Sequence, residues 1–532
     1  MEKTMKTLLQ TTTVIAAMAL VLGPRPGSAA TTGVKPAATP VKPGSAGPGE
    51  PYTWPAYNPN LNYNFKNDHP GFKPPTKVLD DTQNVAGTIT SGWWCFRYGP
   101  NKNDKVTAAA WKPMLERYNK EFAYFRDEMG WPPDKRAREG YYSTIYLFGS
   151  GMSTDKAKNT DLGGWMGSVN YKGENWPMVL ISYYPVYCFD PDCKNGDKAY
   201  QTGGSVHEGV HAILAGMPGC KNAGWFHEGG NNWLQTAANA KRTGNFSEMG
   251  WLSSGAIIAP FMPIECYSGW LQDGSFGGPS AEGVNRFENG TQICTWRKLL
   301  GGTQYGESFP IFLGEIVSPG CVAWIWENCT GRVLEGLATA KGGLGDAQTR
   351  RLIAEFRGRQ VMCDFGRWSP AYKKLLGGNW GSNIGPEKEP VWIKCEPWTA
   401  TCYVATTFDK SKNTLAPEER TLPGWSGANQ IPLKISNIST VSVAFQPIGQ
   451  NMSCQLVYRA TDGSVVYSAP VTTGVCSLNL RKPVKNDVVI AVVCNTDYAF
   501  KGDETRKAKF DYRLVLGKGI TGTADIHKKW WE

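Results

Sequence analysis

The sequence predicts an α+β protein: a mixed domain over residues 81–419, then an all-β sandwich domain over 420–532. Three observations predict it. Segments of the first region carry apolar residues at three- and four-residue steps, as helices packed on one face do. Aromatic and branched runs between those segments read as strands. Beyond about residue 420 short alternating runs recur at roughly ten-residue spacing, separated by Gly, Asn and Asp, which is the pattern of a sandwich. The chain has 532 residues, 41% hydrophobic, 12% aromatic and 19% charged, which excludes a disordered bulk and allows several domains.

Residues 1–30 read as a signal peptide. Lys3 and Lys6 give a positive start, an apolar run follows from Val14 to Leu22, and Gly27, Ser28, Ala29 and Ala30 suit cleavage near Ala30. The run is shorter than the about 20 apolar residues of a membrane span, so a secreted protein with no stable membrane anchor is expected. Residues 31–80 form a Pro/Gly-rich N-terminal segment with seven prolines between 31 and 60. That composition favours extended chain, fits a tether or a propeptide remnant, and is not expected to bury a core. Net charge is +10, and the leader holds three bases against one acid. The mature chain has no Lys/Arg block, so nucleic acid is not an expected partner. A monomer is expected. Fourteen cysteines, an even number with none in the leader, suit an oxidising compartment, although spacing leaves their connectivity open. Cys188/Cys193, Cys321/Cys329 and Cys395/Cys402 are each close enough in sequence to close a small loop.

The elements follow in order. Ser91–Gly99 (SGWWCFRYG) reads as a strand. Residues 107–129 read as a helix, with Trp111, Leu115, Tyr118, Phe122 and Phe125 on one stripe. Tyr141–Phe148 and Trp176–Tyr184 read as strands. Helices are expected over 204–215, with Ser205 as a candidate cap, over 228–241 and over 345–358. A linker is expected near 420, and then the sandwich strands.

Only five histidines occur, and three lie within 21 residues: His207, His211 and His227. His207-Glu208-Gly209-Val210-His211 is an HExxH motif. On a helix, positions i and i+4 lie one turn apart and about 40° round the axis, so both imidazoles can meet one metal ion. Glu208 then projects toward the metal's water as a general base. Glu228, in GWFHEGGNNWLQ, is the candidate third ligand, carried on a second helix that turns back at Gly216, Pro218, Gly219 and Gly224. Two neutral histidines and one carboxylate leave a Zn²⁺ position open, as catalysis requires. His227 competes as a ligand, but it lies about 100° from Glu228 round the helix and is read instead as lining the cleft or holding a hydrogen bond behind the site.

HEGVH followed by WFHEG resembles the gluzincin metallopeptidases. Trp225–Gly229 is similar to the W-x-x-E-G signature of some aminopeptidase branches. Asn232 falls where some gluzincins place an aspartate that orients the first histidine, and an asparagine can do so through its carbonyl. The leader, SGWWCFRYG and the HEGVHAILAGMPG…GWFHEGGNNWLQ region also resemble secreted avirulence-type gluzincin proteins of plant-pathogenic bacteria. The resemblance implies a gluzincin-like zinc peptidase domain over 81–419. It also implies a secreted zinc metallopeptidase acting on protein or peptide substrates, glycoproteins and plant cell-wall or apoplastic proteins included. Gluzincins set a strand beside the metal for an extended substrate. Trp176–Tyr184 reads either as that cleft edge or, from its unbroken VLI centre, as an interior strand. Tyr267, in PIECYSGW, is the nominee for stabilising the oxyanion. The alternative is a secreted virulence protein that binds cell wall, glycans or glycoproteins through its β domain, with a weak or structural zinc site. A glycosidase with paired carboxylates has no pair in its favour.

Overall fold

A computed structural model describes residues 49–61, 71–155, 163–219, 223–247, 257, 260–265, 307–378, 406–419, 422–460, 462–484 and 487–523. The protein is mixed α+β, with three five-stranded sheets among the described residues. The first sheet comprises β1 (Gly87–Ser91), β2 (Trp94–Tyr98), β3 (Ser143–Leu147), β4 (Gly164–Tyr171) and β5 (Glu174–Ile181), in the order β1-β2-β3-β5-β4. The pairs β2–β3 and β3–β5 are parallel, while β1–β2 and β4–β5 are antiparallel. The two-residue period of a strand divides it between two cores. Ile145, Leu147, Val179 and Ile181 face the helices, while Tyr146, Phe148, Met178 and Leu180 fill a smaller core on the far side.

Helix α1 (Ala108–Asp127) covers the first face. Thr107 caps it, its hydroxyl accepting from the Ala109 N–H at 3.2 Å, and Met114, Leu115, Tyr118, Phe122 and Phe125 form its buried stripe. The strand expected over Ser91–Gly99 is β2, Trp94–Tyr98, the second half of a hairpin whose first half ends at Ser91. Gly92 turns the chain at φ +56°, and Asn119 of α1 clamps the turn through Trp93 N and Ser91 O. The other main helices are α2 (Lys198–Ala215), α3 (Gly224–Thr243), α4 (Cys321–Asn328), α5 (Val333–Thr339), α6 (Asp346–Gln360) and α7 (Ser369–Gly378). Helix α2 begins at Lys198, six residues before the expected 204, after the cap residue Asp197. Ser205 is therefore interior, its hydroxyl donating to Gln201 O at 3.0 Å, and does not cap the helix. Among the described residues no single helix is long and apolar enough to cross a membrane.

The C-terminal part holds two antiparallel sheets around one core. One orders β11 (Val465–Tyr467), β10 (Met452–Arg459), β13 (Asp487–Asn495), β8 (Ala428–Ile435) and β15 (Ile520–Thr523). The other orders β12 (Gly474–Val484), β9 (Ile438–Pro447), β14 (Tyr512–Leu516), β7 (Thr414–Pro417) and β6 (Thr406–Asp409). Val441, Val443 and Phe445 of β9 meet Leu433, Leu456 and Val493 of the facing sheet. The domain boundary at 420 is corrected by β6 and β7, a hairpin that pairs with β14 and so belongs to the sandwich. Within the proline- and glycine-rich stretch read as a linker, residues 423–430 are buried: Trp425 is 1% exposed and joins the main core. Arg357 of α6 holds it there, donating to Ser426 O at 2.9 Å and Met262 O at 2.6 Å.

The N-terminal segment is likewise corrected. Residues 49–61 are a strap across both parts. Tyr52 N donates to Tyr467 O at 2.7 Å, the Tyr57 hydroxyl donates to Glu355 at 2.6 Å, and Leu61 lies fully buried in the main core. Tyr52 and Trp54 pack partly buried against the sandwich side of the junction, and Tyr57 against the main core. The nine described cysteines are buried thiols. Cys321 and Cys329 stand at opposite ends of α4, about 12 Å apart by helix rise, beyond the reach of a disulfide. Cys395 and Cys402 lie outside the described residues.

Candidate metal centre

The site forms where α2 and α3 pack face to face. Their sequences dictate that packing. Val206, Val210, Ile213 and Leu214 of α2 turn into the core, and Phe226, Trp233, Leu234 and Ala237 of α3 do the same. Gly209, inside the HExxH motif, lies against α1. A β-carbon there would sit 2.6 Å from the Phe122 ring and 2.9 Å from that of Tyr118, so glycine sets the close approach of the two helices.

His207, His211 and Glu228 come together, with ligand atoms all within 4.8 Å of one another. His207 Nε2 is 3.2 Å from Glu228 Oε2, and His211 Nε2 is 3.4 Å from Glu228 Oε1. Donors bonded at 2.0–2.1 Å to a tetrahedral zinc lie about 3.3–3.4 Å apart, so these separations suit a shared ion. Glu228 Oε2 is buried and makes no hydrogen bond of normal geometry, which a cation would remedy. The three residues can therefore hold a metal ion.

The electrostatics follow from burial and pairing. Burial opposes charge on His207, but the hydrogen bond and charge of Glu228 outweigh it and raise its pKa. Burial likewise opposes charge on Glu228, yet His211 and His207 hold its carboxyl well below the usual range. Glu208 is buried beside them. Burial pushes its carboxyl up against the pull of His207 and His211, and the Met166 N–H donates to it. Met166 belongs to β4, the outer strand of the sheet. Beside it, a β-carbon on Gly164 would lie 3.4 Å from Glu208 Cγ. The strand over 176–184 is thus interior: it ends at Ile181, and β4 is the edge next to the site.

Each ligand imidazole has a neighbour behind it. His211 Nδ1 and His227 Nδ1 are 2.9 Å apart, with the rings stacked at 26°. The direction of this bond follows the His211 tautomer: with the Nε2 lone pair given to a metal, the proton would sit on Nδ1 and His227 would accept it. Burial, reinforced by His211, lowers the His227 pKa to about 3 and keeps it neutral. Trp326 of α4 meets the His227 ring edge-on at 5.4 Å. His207 shares a side-chain hydrogen bond with Gln235, and Asn231 Nδ2 donates to His207 O at 2.9 Å. Asn232 lies on α3, but its side chain is outside the described residues. Asn231 and Gln235 were missed in the sequence. The signal was their spacing: Glu228, Asn231 and Gln235 stand at i, i+3 and i+7, one face of α3. Tyr267 lies outside the described residues.

No protein-family model matches the chain, and no curated protein matches it.

Proposed function

We propose that this chain is a secreted, gluzincin-type zinc metallopeptidase that hydrolyses peptide bonds of extracellular proteins, plant cell-wall or apoplastic proteins among them. The observation that carries the reading is the convergence of His207, His211 and Glu228 at spacings suited to a tetrahedral ion, with Glu208 buried alongside. Two imidazoles and one carboxylate make a donor set that favours zinc and leaves a position open.

A bound zinc supplies Lewis acidity and lowers the pKa of water. The protein's own residues do the rest. Glu208, oriented by the Met166 N–H, takes the proton of the attacking water and delivers it to the leaving amine. The outer edge of β4 offers backbone groups on which an extended peptide adds as a further strand, next to Glu208. His227 and Gln235 hold the two ligand imidazoles in the tautomers that metal binding needs. Tyr267 remains the nominee for the oxyanion.

The test pairs metal analysis with a peptide-library digest. Purified protein is expected to carry one zinc per chain, and a chelator is expected to lower its melting temperature, because a ligand that binds only the folded state stabilises it. Glu208→Gln is expected to keep the zinc and lose turnover by about 10²–10⁴-fold. Retained zinc with unchanged proteolysis rejects the role given to Glu208. Absence of both zinc and proteolysis rejects the function.

A further inference from the structure

The segment that launches the HExxH helix carries two thiols, Cys188 and Cys193. Their sulfurs are 4.0 Å apart, the Cys193 thiol donating to Cys188. Between them the chain makes a tight turn: Cys193 N donates to Asp190 O at 3.1 Å and Asp192 N to Asp190 Oδ1 at 2.9 Å. Lys198, the first residue of α2, ties that turn to the helix. Its ammonium donates to Asp190 O at 2.6 Å and Cys193 O at 3.3 Å. The Tyr184 hydroxyl adds a bond to the helix cap Asp197 at 2.7 Å. Helix α2 has no side-chain cap of its own, so these contacts are what order its start.

We propose that Cys188 and Cys193 form a disulfide that anchors the amino end of α2 and, through it, His207, Glu208 and His211. The bond needs the two sulfurs to close by about 2 Å, which side-chain rotation in a six-residue turn provides. Glutathione disulfide serves as the oxidant. Cys193 is itself buried, 3% exposed, between exposed Asp192 and Lys194, so opening of this surface turn brings its thiolate to the oxidant first. One glutathione thiolate leaves and a mixed disulfide forms. The Cys188 thiolate then attacks the Cys193 sulfur and expels the second glutathione, so two protein thiols are oxidised and one glutathione disulfide is reduced to two thiols. The inference goes beyond the peptidase reading and does not depend on it.

The test uses the full chain equilibrated in a glutathione redox buffer, then alkylated and mapped without reduction. A cross-linked peptide holding Cys188 and Cys193, 2 Da lighter than the dithiol form, is expected. Hydrogen exchange over residues 198–206 is expected to be several-fold slower in oxidised than in reduced protein. Cys188→Ser/Cys193→Ser is expected to exchange there at the reduced rate in both buffers. Recovery of both cysteines as alkylated thiols from the oxidising buffer overturns the bond. A bond that forms without changing exchange at the start of α2 overturns the anchoring role.

Discussion

At the scale of single residues, the site is a set of buried groups that set one another's charge. His227 shows how. Its ring is held neutral because burial beside His211 lowers its pKa to about 3, against an ordinary 6.5. The unfolded chain therefore binds one more proton than the folded chain at pH values between those limits. Stability from this group is complete above pH 6.5 and is lost as pH falls below it. In metal-free protein, lowering the pH from 8 to 5 is expected to cost wild type at most about 2 kcal/mol more than His227→Gln. Urea unfolding of both proteins at the two pH values measures the difference. Equal slopes reject a neutral His227. A metal titration of the same variant reads its second role. Loss of the bond to His211 is expected to weaken zinc binding about 10–100-fold.

At the scale of elements, the site depends on how closely three helices approach. Glycine within a helix costs about 0.5–1 kcal/mol relative to alanine. Gly209→Ala removes that cost but drives a methyl into the Phe122 and Tyr118 rings. Overpacking costs about 1–3 kcal/mol, so a net loss of stability is expected, read as a lower denaturation midpoint. A gain would show that α1 does not press on α2 as described. The outer position of β4 belongs to this scale too. Among the described residues β4 is the edge strand of its sheet, since β5 is paired on both sides, with β3 and β4.

At the scale of the whole molecule, the two parts are joined over a wide area. Ala354, Val361 and Met362, on or just beyond α6, pack on Ile490, Val492 and Val457 of the sandwich. The strap at 49–61 crosses the same junction, from Tyr467 through Glu355 to the main core. Leu61→Ala is therefore expected to lose about 2–5 kcal/mol, as buried leucines do, although Leu61 lies in a proline-rich segment. A loss below 0.5 kcal/mol in chemical unfolding would show that the strap does not bear on the fold. The joined face also explains why β13 reads as the unbroken run DVVIAVVCN: one side meets the sandwich core and the other meets α6.

Local pattern was enough to read the α+β class, helices α1, α2, α3 and α6, and most sandwich strands, because a two- or three-and-a-half-residue period reports which side of an element is buried. It was also enough to place His207 and His211 on one helical face and to select Glu228, because those relations lie within one helix or across one short turn. Tertiary contacts decided the remainder. Asn231 and Gln235 are polar residues on a helix, and nothing local distinguishes them from exposed ones until α3 lies on α2. The β6–β7 hairpin resembles a polar loop until β14 pairs with it. Residues 49–61 and the stretch around Trp425 look like linkers because proline and glycine break regular structure, yet their aromatic and aliphatic side chains find a core that only the folded molecule provides.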